Sequence, residues 1–98
     1  MRKITFTQYA DVQFSDAYQW YESVGTGLGE ELTQEVDRAL TRIVAYPDQF
    51  KIAVADYRRL AVKRFPYEIF YGFDDKQIVV YAIFHTSQHP DAWQSQLN

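Results

Sequence analysis

The sequence predicts an α+β domain in which a helical hairpin packs on one face of a mostly antiparallel sheet. In the first half, apolar residues recur every three or four positions, as along one face of a helix. After the loop around Pro47 the apolar period falls to two, which is typical of strands. The run from Ile78 to Phe84 is almost continuously apolar, which indicates a strand inside a sheet. We therefore expect the order β-α-α-β-β-β in a single domain, residues 1–98.

The first two elements are a short strand and a helix. Lys3–Thr7 alternates polar and apolar residues, as a half-buried strand does. Thr7 is placed to cap the following helix, and Asp11 lies near its first turn, where the helix dipole favours an acid. Gly25 is expected to end this helix because glycine tolerates a positive φ. The apolar stripe of the helix comprises Ala10, Phe14, Ala17, Tyr21 and Val24.

A second helix is predicted after the glycine-rich turn GTG. It ends before Tyr46 and Pro47, because proline cannot continue a helix. Acidic residues gather near its start and arginines near its end, as the helix dipole favours. Two helices joined by a short turn should pack as an antiparallel hairpin. The apolar stripe of the second helix comprises Leu28, Leu32, Val36, Ala39 and Ile43.

Composition excludes several function classes. The chain has no cysteine, which rules out disulfides, thiolate nucleophiles and thiolate metal sites. It has no apolar stretch of signal-peptide length and no run near the ~18 residues of a membrane span, so we expect a cytoplasmic protein without membrane contact. Phosphate loops, dinucleotide fingerprints, nucleophile elbows and zinc spacings do not occur. We therefore predict neither a cofactor nor a metal site.

Charge is small overall but unevenly distributed. Ten Lys and Arg against 13 Asp and Glu give a net charge of −3, which argues against a general nucleic-acid binder. Residues 1–50 carry 4 cations and 8 acids, a charge of −4, whereas residues 51–98 carry 6 cations and 5 acids, a charge of +1. Four cations fall within seven residues that contain no acid: Arg58, Arg59, Lys63 and Arg64.

These four cations are interpreted as a surface for an acidic protein partner. The strand alternation puts Arg59 and Lys63 on one face, opposite Leu60 and Val62, and arginine there can bind a carboxylate with two hydrogen bonds. A second interpretation is a strand edge whose charges prevent edge pairing. Direct contact with nucleic acid is the least favoured of the three interpretations.

Several short strings in this order resemble the RelE/ParE family of toxins from bacterial type II toxin–antitoxin modules. They are WYES and GLGEEL in the hairpin, Tyr46-Pro47 after it, RR before a strand, FPY entering the next strand, and H-x-x-x-x-P-x-x-W in the tail. The resemblance covers nearly all of the chain and is closer to the ParE side than to the RelE side. It implies a cognate antitoxin that wraps the sheet and the hairpin, and it implies inhibition of DNA gyrase.

Two departures from the family pattern bear on function. Gln88 stands near the place where many relatives carry an arginine, and Glu68 stands where RelE-type ribonucleases carry another. The resemblance therefore leaves two further functions open. One is a RelE-like endonuclease that cleaves mRNA on the ribosome, and the other is a relative without toxicity that binds only an antitoxin.

A ribonuclease would need a general acid, a general base and a cation for the charge on the phosphate. His85 and His89 are the candidates for proton transfer, and Lys63 or Arg64 is the candidate cation. The favoured interpretation assigns both histidines local structural roles, because the carboxylate of Glu68 would repel a phosphate. We therefore assign no catalytic residue and regard an enzyme as the less favoured alternative.

Two tryptophans complete the predicted partner-binding surface. Trp20 falls outside the apolar stripe of the first helix, and an exposed position there would suit an antitoxin groove. A place in the core is an equally good interpretation of Trp20. Trp93 is the one large apolar residue of the polar tail, and we include it among the partner contacts.

Overall fold

The chain folds in the predicted order and adds one strand. The computed structural model describes residues 2–87, in which the elements are β1 (Lys3–Phe6), α1 (Gln8–Val24), α2 (Leu28–Ala45), β2 (Lys51–Val54), β3 (Tyr57–Ala61), β4 (Tyr67–Phe73) and β5 (Gln77–His85). The strands form one sheet in the order β1-β5-β4-β3-β2, and only the β1–β5 pair is parallel. Strand β5 lies between two other strands, so the predicted α+β class and the interior position of the last strand are confirmed. Of the helices in residues 2–87, neither is long and apolar enough to cross a bilayer.

Strand β2 was not predicted, and its sequence explains why. It has only four residues, and its pairing with β3 shifts register between Ile52 and Val54. The turn into β3 uses Ala55 at a φ of 48°, so no glycine or asparagine marks the hairpin in the sequence. A short, irregular edge strand shows too little alternation of polar and apolar residues to be predicted from the sequence.

The ends of α1 match the predicted positions, but one of the predicted reasons is wrong. The Thr7 hydroxyl oxygen accepts a hydrogen bond from the backbone N–H of Ala10 at 3.1 Å, which confirms the N-cap. Gly25 is the C-cap, yet its φ of −161° is extended backbone that any residue adopts. A Cβ at Gly25 would lie 3.0 Å from Cδ1 of Leu28, so close packing, and not a positive φ, favours glycine here.

Helix α2 is capped by a carboxylate of α1. Its own N-cap, Gly27, has a φ of 90° and offers no side chain. Instead, Oε1 of Glu22 accepts hydrogen bonds from the backbone N–H groups of Gly27 and Gly29, each at 2.9 Å. An acid at this end of a helix also interacts favourably with the helix dipole. The same contact therefore closes the hairpin and caps its second helix.

Most residues of the two predicted stripes form the core against the sheet, but Val24 and the half-buried Leu28 lie outside it. Val24 is the last residue of α1 and is 60% exposed, so it extends past the core and its predicted burial is wrong. Tyr71 is completely buried, and its hydroxyl donates a 2.7 Å hydrogen bond to the carbonyl of Pro47. The buried apolar side chains of the helices in this core are Ala10, Ala17, Leu32, Val36, Ala39, Leu40 and Ile43, and the buried sheet residues on this face include Ile69, Tyr71, Ile78, Val80 and Ile83.

Strand β5 buries apolar side chains on both faces of the sheet, and a β-bulge changes the face on which its alternate residues lie. Phe70 pairs with Ala82 and Tyr71 pairs with Val80, so Tyr81 is an extra residue opposite that pair. Before the bulge Val80 faces the helices, and after it Ala82 joins Phe70 in a second apolar cluster on the opposite face of the sheet. The near-continuous apolar run in the sequence reflects these two buried faces.

Helix α1 covers the part of β5 that β1 does not reach. Strand β1 ends at Phe6, opposite Val80. Beyond that point, Oε1 of Gln13 accepts a hydrogen bond from the backbone N–H of Ile83 at 2.7 Å. The Thr7 hydroxyl donates to the carbonyl of Tyr81 at 3.1 Å. These contacts hold the start of α1 beside the sheet edge, which an unpaired strand would otherwise expose.

Candidate functional site

The four cations of the predicted basic surface are divided among different parts of the fold. Strand β3 ends at Ala61, and Arg64 has a φ of 70°, so the chain leaves the strand before Lys63. The prediction that Arg59 and Lys63 share one strand face is therefore wrong. The strand alternation ends too early to reach Lys63.

Both arginines of β3 make contacts within the fold. The side chain of Arg58 donates a 2.8 Å hydrogen bond to the carbonyl of Phe50, and its guanidinium lies 5.9 Å from the ring centre of Phe73. Arg59 projects to the opposite face, where it lies 3.7 Å from the carboxylate of Glu68. Each of these cations therefore has a contact within the fold with which an incoming phosphate or carboxylate would compete.

Arg64 joins an ion-pair network with helix α2. Its guanidinium contacts Glu31 at 2.5 Å and Glu35 at 3.3 Å, and Arg38 contacts the same carboxylate of Glu35 at 2.9 Å. The hydrogen bond from Glu31, followed by the one from Glu35, raises the pKa of Arg64 above its ordinary value. Glu35 is only 5% exposed, and two arginines compensate its buried charge. The segment from residue 58 to residue 64 contains no acid, but the fold brings acids of α2 into contact with it.

Lys63 remains exposed and has no ion pair or hydrogen bond within residues 2–87. It lines a groove of about 290 Å³ with Arg38 and Arg42 of α2. The other lining residues are Glu35, Ala39, Thr41 and Ala61. We call this surface, defined by Arg38, Arg42 and Lys63, the basic groove. In the sequence, Arg38 and Arg42 indicated only a favourable interaction with the helix dipole, so this part of the site was not predicted.

A second open surface runs between α1 and the end of β5. This α1 groove of about 420 Å³ is lined by Tyr9, Val12 and Trp20 of α1, and by Tyr67 and His85 of the sheet, among others. The side chain of Trp20 is 59% exposed and that of Val12 is 52% exposed. Trp20 therefore lies on the surface, as a partner contact requires, and not in the core. Tyr9 and Val12 were not predicted, although both fall outside the core stripe of α1.

The candidate catalytic residues lie in different environments. His85 ends β5 opposite Tyr67, and its Nδ1 accepts a 3.0 Å hydrogen bond from the backbone N–H of Ser87. His85 lines the α1 groove, whereas Lys63 lines the basic groove and Arg64 pairs with α2. Tyr67 lines the same groove as His85, and burial raises the pKa of its hydroxyl above the ordinary value. His89, the other histidine candidate, and Trp93, a predicted partner contact, lie outside the described residues.

No metal centre is built by the described part of the chain. Among residues 2–87, no three His, Asp or Glu side chains are grouped so that they could hold an ion. The neighbouring acids Asp74 and Asp75 lie in the β4–β5 turn, where Oδ1 of Asp74 accepts hydrogen bonds from the backbone N–H groups of Lys76 and Gln77. These bonds lower the pKa of Asp74 and account for its place in the turn.

Comparison with known proteins defines the family. The family model described as "ParE toxin of type II toxin-antitoxin system, parDE" matches residues 4–90. The chain is also similar to a solved structure described as the chromosomal ParDE TA system from P. aeruginosa, with a TM-score of 0.75 and 19% identity over 89% of this chain and 98% of that chain. At this identity the structural likeness shows the fold alone. No curated protein matches the chain. Because the family model spans nearly the whole sequence, the chain belongs to the ParE toxin family of type II toxin–antitoxin systems.

Proposed function

We propose that this ParE-family toxin acts in the cytoplasm by binding DNA gyrase, and that a cognate antitoxin neutralises it. In this account the toxin transfers no proton and breaks no bond. The antitoxin covers the exposed aromatic surface of α1, with Trp20 as its central contact. Membership of the ParE family supports the toxin role, and the gyrase target is our inference from that membership.

The observation that carries the proposal is that the candidate cations are not placed for catalysis: Arg64 is paired with acids of the same chain, and Lys63 lines a different groove from His85. Arg64 contacts Glu31 and Glu35, and Arg59 contacts Glu68. A ribonuclease needs cations that are free to stabilise the charge on a phosphate in the transition state. Here that charge would compete with carboxylates already in place. Exposed aromatic side chains beside a groove are better suited to a protein partner.

The α1 groove supports the antitoxin part of the proposal. Tyr9, Val12 and Trp20 give one side of helix α1 an apolar surface that contacts water in this chain. A disordered antitoxin segment that folds on binding would bury this surface, as amphipathic helices do in hydrophobic grooves. The central, desolvated aromatic residue of such an interface usually carries much of the binding energy.

Conditional expression in a bacterial host tests the proposed function. We expect growth arrest with a DNA-damage response and intact mRNA, and we expect co-expression of the adjoining reading frame to restore growth. His85→Ala should change toxicity less than about threefold, since removal of a general acid or base costs a factor of ~100 or more. Ribosome-dependent mRNA cleavage would instead support the endonuclease. A culture that keeps growing would support a relative that only binds an antitoxin.

A further inference from the structure

We propose that an aromatic cage at the end of β5 binds an arginine side chain on the surface of the protein that the toxin targets. The cage is a cavity of about 280 Å³ lined by Trp20, Tyr21, Tyr67 and His85. It adjoins the α1 groove, with which it shares three of these four lining residues. This assignment rests on the proposed function, because it names the chemistry by which the toxin contacts gyrase.

The four rings of the cage are steeply inclined to one another. The ring centres of Trp20 and Tyr21 lie 5.0 Å apart at an interplanar angle of 89°. Those of Tyr67 and His85 lie 5.2 Å apart at 79°, and Tyr21 contacts Tyr67 at 6.3 Å and 67°. Rings at such angles form the walls of a box and not a flat stack. Since a cation within about 6 Å of a ring centre is attracted to the negative face of the ring, several rings around one cavity favour a cation.

The charge around the cage is complementary to a cation. Within residues 2–87, neither the cage nor the α1 groove is lined by a lysine or an arginine. Asp16 lines the α1 groove, and its carboxylate makes no ion pair or hydrogen bond within those residues. Nδ1 of His85 accepts a hydrogen bond from the backbone N–H of Ser87, and an imidazole in this arrangement is uncharged. The uncompensated charge beside the cage is therefore negative.

The arginines of this chain already lie over aromatic rings, but not over those of the cage. Four guanidinium groups lie 5.3 to 5.9 Å from the ring centre of a phenylalanine. One of them, Arg64, lies over Phe65, whose ring is in edge contact with Tyr21. Within residues 2–87 none lies over Trp20 or Tyr67. An indole attracts a cation more strongly than a phenyl ring does, so the best cation-binding ring of the described chain is left for a partner.

An arginine fits this site better than a nucleotide or a lysine. A nucleobase also stacks on aromatic rings, but its phosphate would meet the carboxylate of Asp16 and no lining cation. A guanidinium is flat and weakly hydrated, so it stacks on a ring while its N–H groups donate to a carboxylate. The ammonium of lysine is more strongly hydrated. Asp16 and Trp20 lie about 6 Å apart along the axis of α1, so one arginine can contact both side chains.

The cage is open only when the antitoxin is absent. In the proposed function the antitoxin covers Trp20, which forms one wall of the cage, so antitoxin binding closes it. The free toxin, whose cage is open, is the form that acts on the target. We therefore assign the arginine to the target and not to the antitoxin. It follows that the antitoxin neutralises the toxin by occupying a surface that the target needs.

An NMR titration of the full chain tests the chemistry of the cage. The probe is N-acetyl-arginine amide, and its control is N-acetyl-citrulline amide, which has nearly the same shape and no charge. The backbone amide signals of Tyr67 and His85 report binding. We expect the natural chain to bind the arginine probe at least ~5-fold more tightly than the citrulline probe. Addition of the antitoxin should abolish binding of both probes.

Two variants with similar original exposure locate the site. Trp20→Leu should remove most of the preference for arginine, and Trp20→Phe should keep part of it because a ring remains. Tyr46→Leu is the matched control, since Tyr46 is 57% exposed against 59% for Trp20 and does not line the cage. It should keep the full preference. Equal binding of the two probes, a preference that survives Trp20→Leu, or tighter binding of choline or of uridine monophosphate would overturn the inference.

Inhibition of gyrase separates this assignment from the proposed function. Trp20→Leu should need at least ~5-fold more toxin than Tyr46→Leu for the same inhibition of supercoiling. If gyrase is unaffected by the natural chain while arginine still binds in preference to citrulline, the proposed target is wrong and the chemistry of the cage stands. If the natural chain and Trp20→Leu inhibit gyrase equally, the proposed function stands and the assignment of the cage to the target is wrong.

Discussion

Trp20→Glu should weaken binding of the antitoxin about 100-fold or more, a loss of roughly 3 kcal/mol, while leaving the fold intact. The indole is 59% exposed and lies edge-on against Tyr21 with ring centres 5.0 Å apart, so little of the core depends on it. In the complex the same position would be desolvated, and a carboxylate there would lack a partner. Calorimetric titration of the toxin with the product of the adjoining reading frame measures the loss.

Tyr46→Glu is the matched control for that experiment. Tyr46 is 57% exposed, close to the value for Trp20, but it follows α2 and does not line the α1 groove. The control should change antitoxin affinity less than about threefold, since exposed residues outside an interface contribute little. Equal losses in the two variants would show that exposed aromatic residues act non-specifically and would contradict the assignment of Trp20.

Tyr71→Ala should destabilise the fold by about 4 kcal/mol, a large part of the 5–15 kcal/mol that a domain of this kind has. Tyr71 has no exposed surface, and its ring packs among the core residues of β4 and β5. The hydroxyl contributes separately, because it donates a 2.7 Å hydrogen bond to the buried residue Pro47. Tyr71→Phe keeps the ring and should cost about 1–3 kcal/mol in urea unfolding. If Tyr71→Phe were neutral, the carbonyl of Pro47 would not depend on this bond.

Alkaline pH provides an independent test of the Tyr71 hydroxyl. Burial raises the pKa of Tyr71 from 10.0 to about 12, with a further increase from Asp48 that Arg58 opposes. Because the folded-state pKa lies above the unfolded one, the corresponding stability is fully present below pH 10 and is lost as pH rises towards 12. The loss should be on the order of 2 kcal/mol. Tyr71→Phe has no such group, so the stability advantage of the natural chain over this variant should fall across that interval.

The helices were predicted well because the features that form them, apolar spacing and capping, involve residues that are close in sequence. The helical spacing of apolar residues placed both helices of the hairpin, and the hydroxyl of Thr7 caps the residue three positions later. The burial of Val24 was predicted wrongly because helical periodicity identifies the apolar face of a helix but not the point along the helix at which the core ends. Strand β2 carries no clear alternation, and its turn at Ala55 lacks the glycine or asparagine that usually marks a two-residue hairpin.

Contacts between distant residues account for what the sequence did not predict at the candidate site. Arg64 pairs with Glu31, 33 positions away, so a cluster without acids in sequence is not free of them in space. The basic groove combines Lys63 with two arginines of α2, and only the packing of the hairpin on the sheet brings them together. The exposure of Trp20 follows from its position off the core stripe, which depends on α1 alone, and its role as a partner contact stays a prediction.

A gyrase supercoiling assay with the purified toxin tests the central claim most directly. The toxin should inhibit supercoiling of relaxed plasmid in proportion to its concentration, and addition of the antitoxin should restore activity. His85→Ala should inhibit as strongly as the natural chain, because binding requires no proton transfer. Gyrase binding is contradicted if the enzyme is unaffected while the natural chain cleaves mRNA on ribosomes and His85→Ala loses that cleavage by a factor of ~100 or more.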